Sequence, residues 1–158
     1  MGPLPRSSRG FTLAELLVAL ALMALLVTAA AMGIYAAQIS HAYNSEKTDL
    51  VARARGVLDR ITRDIRQAES VESPDAATVA ITFASGATHT YEWDGAAGGG
   101  ITLTITDGGT TVNTLTEDVQ SFQVDDTAKP TYVIKIALSG EKATVEASLS
   151  ATPRKEFF

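Results

Sequence analysis

Arg9-Gly10-Phe11-Thr12-Leu13-Ala14-Glu15, followed by a stretch without charge from Leu16 to Ser40, decides how this chain is read. Leu16 to Ala37 spans 22 residues and is apolar apart from Thr28 and Gly33. About 20 such residues cross a bilayer core as a helix. Glu15 sits one turn inside that helix. A carboxylate left unpaired near the bilayer centre costs roughly 2.5–3.5 kcal/mol. A cut after Gly10 would create an amine at Phe11, four residues before Glu15. An anchor with two opposite charges at its tip suits assembly within a membrane better than chemistry on a small molecule.

The flanking charges predict an orientation. Arg6 and Arg9 precede the apolar run, and the next charges, Glu46 and Lys47, lie well beyond it. Basic residues stay on the cytoplasmic side, which places the leader in the cytoplasm and the C-terminal part outside. The alternative is an ordinary secretory signal cut near Ala29-Ala30-Ala31. Glu15 argues against it, because an ordinary signal gains nothing from a charge in its apolar region.

Gly10 followed by Phe11-Thr12-Leu13-Ala14-Glu15 and an apolar helix resembles the cleavage and methylation signal of type IV pilins and type II secretion pseudopilins. The resemblance implies that Gly10 is the last leader residue and that Phe11 becomes the N-methylated first residue. It implies a prepilin peptidase as processing partner, acting at the cytoplasmic face of the bacterial inner membrane, and other pilin or pseudopilin subunits as assembly partners. Glu15 then corresponds to the assembly glutamate, which the family pairs with the N-terminal amine of a neighbouring subunit. The i,i+4 spacing from Phe11 to Glu15 leaves open a pair within one chain instead.

Of the 158 residues, a leader of 1–10 leaves 148. About 30 of those form the membrane and near-membrane helix, and the remainder suffices for one small domain. The net charge of −5 argues against a general nucleic-acid binder. The absence of cysteine excludes disulfides, thiolate metal sites and cysteine nucleophiles.

Beyond the apolar run the helix turns amphipathic. Leu50, Ala54, Val57, Leu58, Ile61, Ile65 and Ala68 recur at three- and four-residue steps, a stripe suited to packing on a domain. Arg53, Arg55, Asp59, Arg60, Arg63, Asp64, Arg66 and Glu69 are assigned to the opposite face. Arg55–Asp59, Asp59–Arg63 and Arg60–Asp64 have i,i+4 spacing, each worth a few tenths of a kcal/mol if formed. Gly33 and Gly56 are weak points of the helix. Pro74 disfavours helix at Ser73 and ends it. The Arg63-Asp64-Ile65-Arg66-Gln67-Ala68 string resembles the amphipathic helix of J-type or PilW-type minor subunits, which implies a role at the filament tip.

From Thr78 the apolar period becomes two. Val79-Ile81, Tyr91-Trp93, Ile101-Leu103-Ile105, a less regular Leu115-Val119-Phe122-Val124, Tyr132-Ile134-Ile136-Leu138 and Val145-Ala147-Leu149 read as strands. Asp94-Gly95, Asp107-Gly108-Gly109 and Ser139-Gly140 supply turns between them, which favours antiparallel hairpins. The expectation is an α+β, pilin-like fold: residues 11–40 as the transmembrane helix, 41–72 as its amphipathic continuation, and 73–158 as an extracytoplasmic antiparallel β-sheet domain.

No catalytic constellation is legible, so the chain is expected to be a structural subunit and not an enzyme, with no cofactor, no metal and no nucleic acid. His41 and His89 are far apart in sequence and no serine has a nucleophile-elbow setting. Asp94, Asp107, Asp125 and Asp126 read as turn formers; calcium in such a turn is the alternative drawn from some major pseudopilins. Phe157-Phe158 fits a subunit contact or a tail. A secreted binding domain or enzyme behind an ordinary signal and a DNA-binding competence pilin are the competing readings of the whole chain.

Overall fold

The computed structural model describes residues 11–154. It comprises one helix, α1 (Leu13–Gln67), and seven strands, β1 (Ser70–Asp75), β2 (Thr78–Thr82), β3 (Thr88–Trp93), β4 (Gly99–Thr106), β5 (Thr110–Asp125), β6 (Tyr132–Ser139) and β7 (Thr144–Ala151). The residues through Ala42 form one compact unit, and Tyr43 onward forms a second that contains the whole sheet.

In the first unit every large apolar side chain from Phe11 to Ile39 is more than half exposed. Such a surface is stable only against lipid or other apolar helices. The hydroxyl of Thr28, the polar interruption in the run, donates to the Ala24 carbonyl at 2.8 Å. That bond satisfies the hydroxyl within its own helix, as a low-dielectric surrounding requires.

The second unit is an antiparallel meander in which the strands lie in sequence order from β1 to β7. The expected stripe holds in full: Leu50, Ala54, Val57, Leu58, Ile61, Ile65 and Ala68 are all buried. They join one core with Val79, Ile81, Tyr91, Ile101, Leu103, Phe122, Tyr132, Ile134, Ile136 and Leu138 from the sheet. Burying each of Leu58, Ile61 and Ile65 contributes roughly 1.5–3 kcal/mol. The Tyr132 hydroxyl, from β6, donates to the Val71 carbonyl in β1 at 3.0 Å, and the Val124 amide donates to the Ala76 carbonyl. These bonds bring the β1–β2 hairpin to β5 and β6, so the sheet curls.

Glu46 ties the start of this unit's helix to the β6–β7 turn. Its Oε1 accepts from the backbone amides of Lys142 at 2.9 Å and Ala143 at 3.4 Å. A Cβ at Gly140 would overlap that carboxylate, so a larger residue there would push Glu46 off the turn amides.

Three expectations are corrected. The helix stops at Gln67, and residues 70–72, assigned above to its amphipathic half, belong to β1. Val71 is buried between exposed Ser70 and Glu72, a two-residue period too short to stand out beside the helical stripe. Pro74 is tolerated because β1 is an edge strand. The second correction concerns the three i,i+4 ion pairs: none of them forms within 4.0 Å among the described residues, whereas Arg53 pairs with Asp49 at 2.6 Å. Third, Asp64 does not face solvent; it is 9 % exposed.

The irregular fourth segment also has a physical cause. β5 is a single strand of 16 residues whose pairing slips against β4 between Gly99 and Thr102 and against β6 between Val119 and Ser121. Asp118 takes φ 63° within this bulged region. Bulges add unpaired residues and break the two-residue alternation.

Candidate functional site

The N-terminal tip is built by local chemistry. Thr12 immediately precedes the first residue of α1. Its hydroxyl accepts from the Glu15 amide at 3.2 Å. In return Glu15 Oε2 accepts from the Thr12 amide at 2.9 Å and from the Thr12 hydroxyl at 3.0 Å. This is a reciprocal capping box, Thr at the cap and Glu three residues on, which satisfies two otherwise orphaned amides at the helix start. Glu15 also places a negative charge in the first turn, where the helix dipole favours it.

Both bonds to the Glu15 side chain fall on Oε2. Oε1 has no hydrogen-bond partner among the described residues. Glu15 lines a shallow apolar concavity of about 400 Å³ together with Phe11, Ala14, Val18, Ala19 and Leu22. The small side chains of Ala14 and Ala19 allow another helix to approach closely there.

The sequence reading named Glu15 but not Thr12, its hydrogen-bond partner in the structure. The Thr-x-x-Glu spacing of a capping box was present in Thr12-Leu13-Ala14-Glu15 and would have found it. Phe11 is 84 % exposed, free to meet a neighbour. The leader positions Arg6, Arg9 and Gly10, and the terminal Phe157-Phe158, lie outside the described residues.

A second polar cluster lies in the sheet unit. Asp64 Oδ2 accepts from the Tyr91 hydroxyl at 2.6 Å and lies 2.6 Å from His89 Nδ1. The His89 ring meets Phe83 edge-on, with centroids 4.7 Å apart. Tyr91 is fully buried. Burial and the bond to Asp64 push its phenol well above the ordinary value of 10, against the opposing pull of the Arg60 guanidinium. His89, read from sequence as a strand-surface residue, is thus part of a helix-to-sheet clamp, with its side chain 21 % exposed. His41 is exposed.

Of the four turn aspartates singled out by sequence, Asp94 and Asp125 serve the backbone, while Asp126 pairs with Lys129 at 2.9 Å. Asp94 accepts from the Ala96 amide at 3.1 Å and the Gly100 amide at 3.3 Å, closing the glycine-rich β3–β4 loop. A Cβ at Gly99 would overlap the Asp94 carboxylate. Asp125 accepts from the hydroxyl and amide of Thr127 at 2.6 and 3.0 Å, which hold its carboxyl below the usual range.

Residues 5–31 match the family described as the prokaryotic N-terminal methylation motif. No curated protein and no solved structure matches the chain. The matched segment covers the basic leader positions, Gly10, Phe11, Glu15 and most of the apolar run. Together with one long N-terminal apolar helix followed by a seven-stranded antiparallel sheet, the motif supports a type IV pilin-like protein and is consistent with a pilin-like α+β fold. The motif implies processing by prepilin peptidase and assembly with other pilins, and with the apolar helix it supports a membrane-anchored chain.

Proposed function

We propose that this type IV pilin-like chain is a minor subunit of a type II secretion pseudopilus or a type IV pilus, without catalytic activity of its own. In this reading the leader stays in the cytoplasm, α1 crosses the inner membrane, and the sheet unit lies outside. Prepilin peptidase cuts after Gly10 and methylates the new amine of Phe11. The string Arg63 to Ala68 supports a J-type or PilW-type subunit that primes assembly at the tip.

The observation that carries the reading is the state of Glu15. Its Oε2 is used by the cap while Oε1 stands unpartnered on a helix face whose apolar side chains are all exposed. In lipid an amine from a neighbouring subunit is the natural partner for that oxygen, since the pair offsets the cost of an isolated carboxylate.

Two variants separate the charge from the cap. Glu15→Gln keeps a capping-box side chain and removes the charge; it is expected to insert, be cut and fail to co-purify with the assembled filament. Thr12→Ala keeps the charge and removes the capping hydroxyl; it is expected to assemble, several-fold less efficiently than the native chain. If Glu15→Gln assembles normally while Thr12→Ala does not, the glutamate is only a cap. Mass spectrometry of the mature chain from native membranes tests processing: a methylated Phe11 at the N-terminus is expected, and a start near Ala31 would sink the pilin reading in favour of a secreted domain.

A further inference from the structure

The sheet unit carries a groove of about 720 Å³ between the last turns of α1 and strand β7. Three arginines line it, Arg63 and Arg66 from the helix and Arg154 from the segment after β7. All three are exposed. Asp59 is the single acidic residue of the lining, so the groove is strongly cationic although the chain is net acidic.

Thr62 lines the same groove and is 3 % exposed. Its Oγ1 is one of two buried side-chain polar atoms without a hydrogen-bond partner among the described residues, the other being Trp93 Nε1. A buried hydroxyl left unpaired costs about 1–3 kcal/mol. It is a donor without an acceptor, on a residue that lines a cationic groove.

β7 is an edge strand, paired only with β6 among the described residues. An edge strand presents unpaired backbone amides and carbonyls to whatever lies beside it. The groove is also much too large for a single small anion. Leu149, partly buried against the core, supplies the apolar part of the groove lining. An extended peptide laid along β7 would direct alternate side chains to opposite faces, so acidic residues at every second position would meet the arginines while the residues between them pointed away from α1.

We infer that the groove between α1 and β7 docks an extended acidic peptide segment of a partner protein, held by Arg63, Arg66 and Arg154 and by the hydroxyl of Thr62. The inference stands on the groove alone and does not require that the chain prime a filament tip.

The test uses the full chain in detergent micelles and a fluorescein-labelled octapeptide of alternating glutamate and valine, read by fluorescence anisotropy at low salt. Saturable binding is expected. Arg66→Ala and, independently, Arg154→Ala should each weaken it about tenfold, the loss of one charge-assisted hydrogen bond. Thr62→Val is the decisive variant. Because the hydroxyl is unpaired in the free protein, the isosteric change should leave the melting temperature unchanged or raise it while weakening peptide binding several-fold. A purely structural Thr62 would show the reverse. The proposal is overturned if the wild-type chain ignores the peptide, or if the arginine variants bind as well as wild type. It is likewise overturned if Thr62→Val leaves affinity untouched, if inorganic phosphate displaces the peptide at equal concentration, or if an oligothymidylate binds as tightly.

Discussion

Asp64→Ala tests whether a buried carboxylate clamps the helix to the sheet. In the native unit Asp64 Oδ2 receives the Tyr91 hydroxyl and faces His89 Nδ1, each at 2.6 Å. Removing the carboxylate strands the phenol of a fully buried tyrosine, which costs about 1–3 kcal/mol, and deletes a bond to a charged acceptor worth about 1.5–3 kcal/mol. These contributions overlap, since both concern the Tyr91 hydroxyl. His89 retains partial access to water and recovers part of its loss. The expected net cost is therefore about 3 kcal/mol, a large fraction of the 5–15 kcal/mol that a domain of ordinary size possesses.

At that size the melting temperature of the sheet unit should fall by about 12–24 °C. Trp93 is the only tryptophan and lies in β3, two residues from Tyr91, so its fluorescence follows this unit in the detergent-solubilised chain. Asp59→Ala, exposed on the same helix, is the control and should change stability by about 0.5 kcal/mol or less. Tyr91→Phe alone should cost about 1.5–3 kcal/mol, and the double variant with Asp64→Ala should cost much less than the sum. If Asp64→Ala behaves like Asp59→Ala, or if the two changes at 64 and 91 add without coupling, the clamp does not exist and the core alone holds the helix.

The remaining predictions follow from single contacts. Tyr91 binds its proton more tightly in the folded chain than in the unfolded one, so its contribution is intact below pH 10 and is lost as pH rises above it. Thermal melts above that pH should therefore decline, and Tyr91→Phe should flatten the decline. Gly56→Ala should stabilise by about 0.5–1 kcal/mol in the same melts, because a Cβ there meets nothing and alanine loses less entropy in a helix. Glu46→Ala should cost about 0.5–1.5 kcal/mol, since the two amides that its carboxylate receives can partly turn to water. Gly140→Ala should show a comparable loss in wild type and a smaller one once Glu46 is truncated.

What was legible and what was not divides by the kind of signal. The stripe from Leu50 to Ala68 and the alternation from Val79 to Leu149 are periodic, so several residues report the same fact and the elements emerge. Asp64 and Thr62 have no such redundancy. Each is a single polar residue on the shoulder of the stripe, Asp64 three positions after Ile61 and Thr62 four after Leu58, and the helical spacing already placed both near the buried face. Reading residue type before position sent Asp64 to solvent. Its partner lies 27 residues away on β3, a distance at which only the fold brings the groups together. The arginine groove is hidden for the same reason: Arg154 is far in sequence from Arg63 and Arg66, and nothing in the linear order distinguishes those three from the other basic residues.

Glu15 brings the two levels together. A capping box would by itself explain a glutamate at the third helical position of a soluble helix, where it costs nothing to expose. Here the same residue begins a run whose side chains need an apolar surrounding, and that changes the balance. The cap employs one carboxylate oxygen on Thr12 and leaves the charge unneutralised. Water would compensate a charge on an isolated soluble helix, but a bilayer interior does not. Thr12 therefore orients the carboxylate without discharging it: two donors on Oε2 fix the rotamer and keep Oε1 available on the face lined by Ala14 and Ala19. A neighbouring amine would then meet a preoriented acceptor and lose less side-chain entropy on pairing. Thr12→Val, which removes the hydroxyl and keeps the bulk, should accordingly weaken assembly several-fold without abolishing it, whereas Glu15→Gln should abolish it. Equal defects in the two variants would mean that orientation and charge are inseparable at this position, and no defect in either would place the assembly contact elsewhere on the helix.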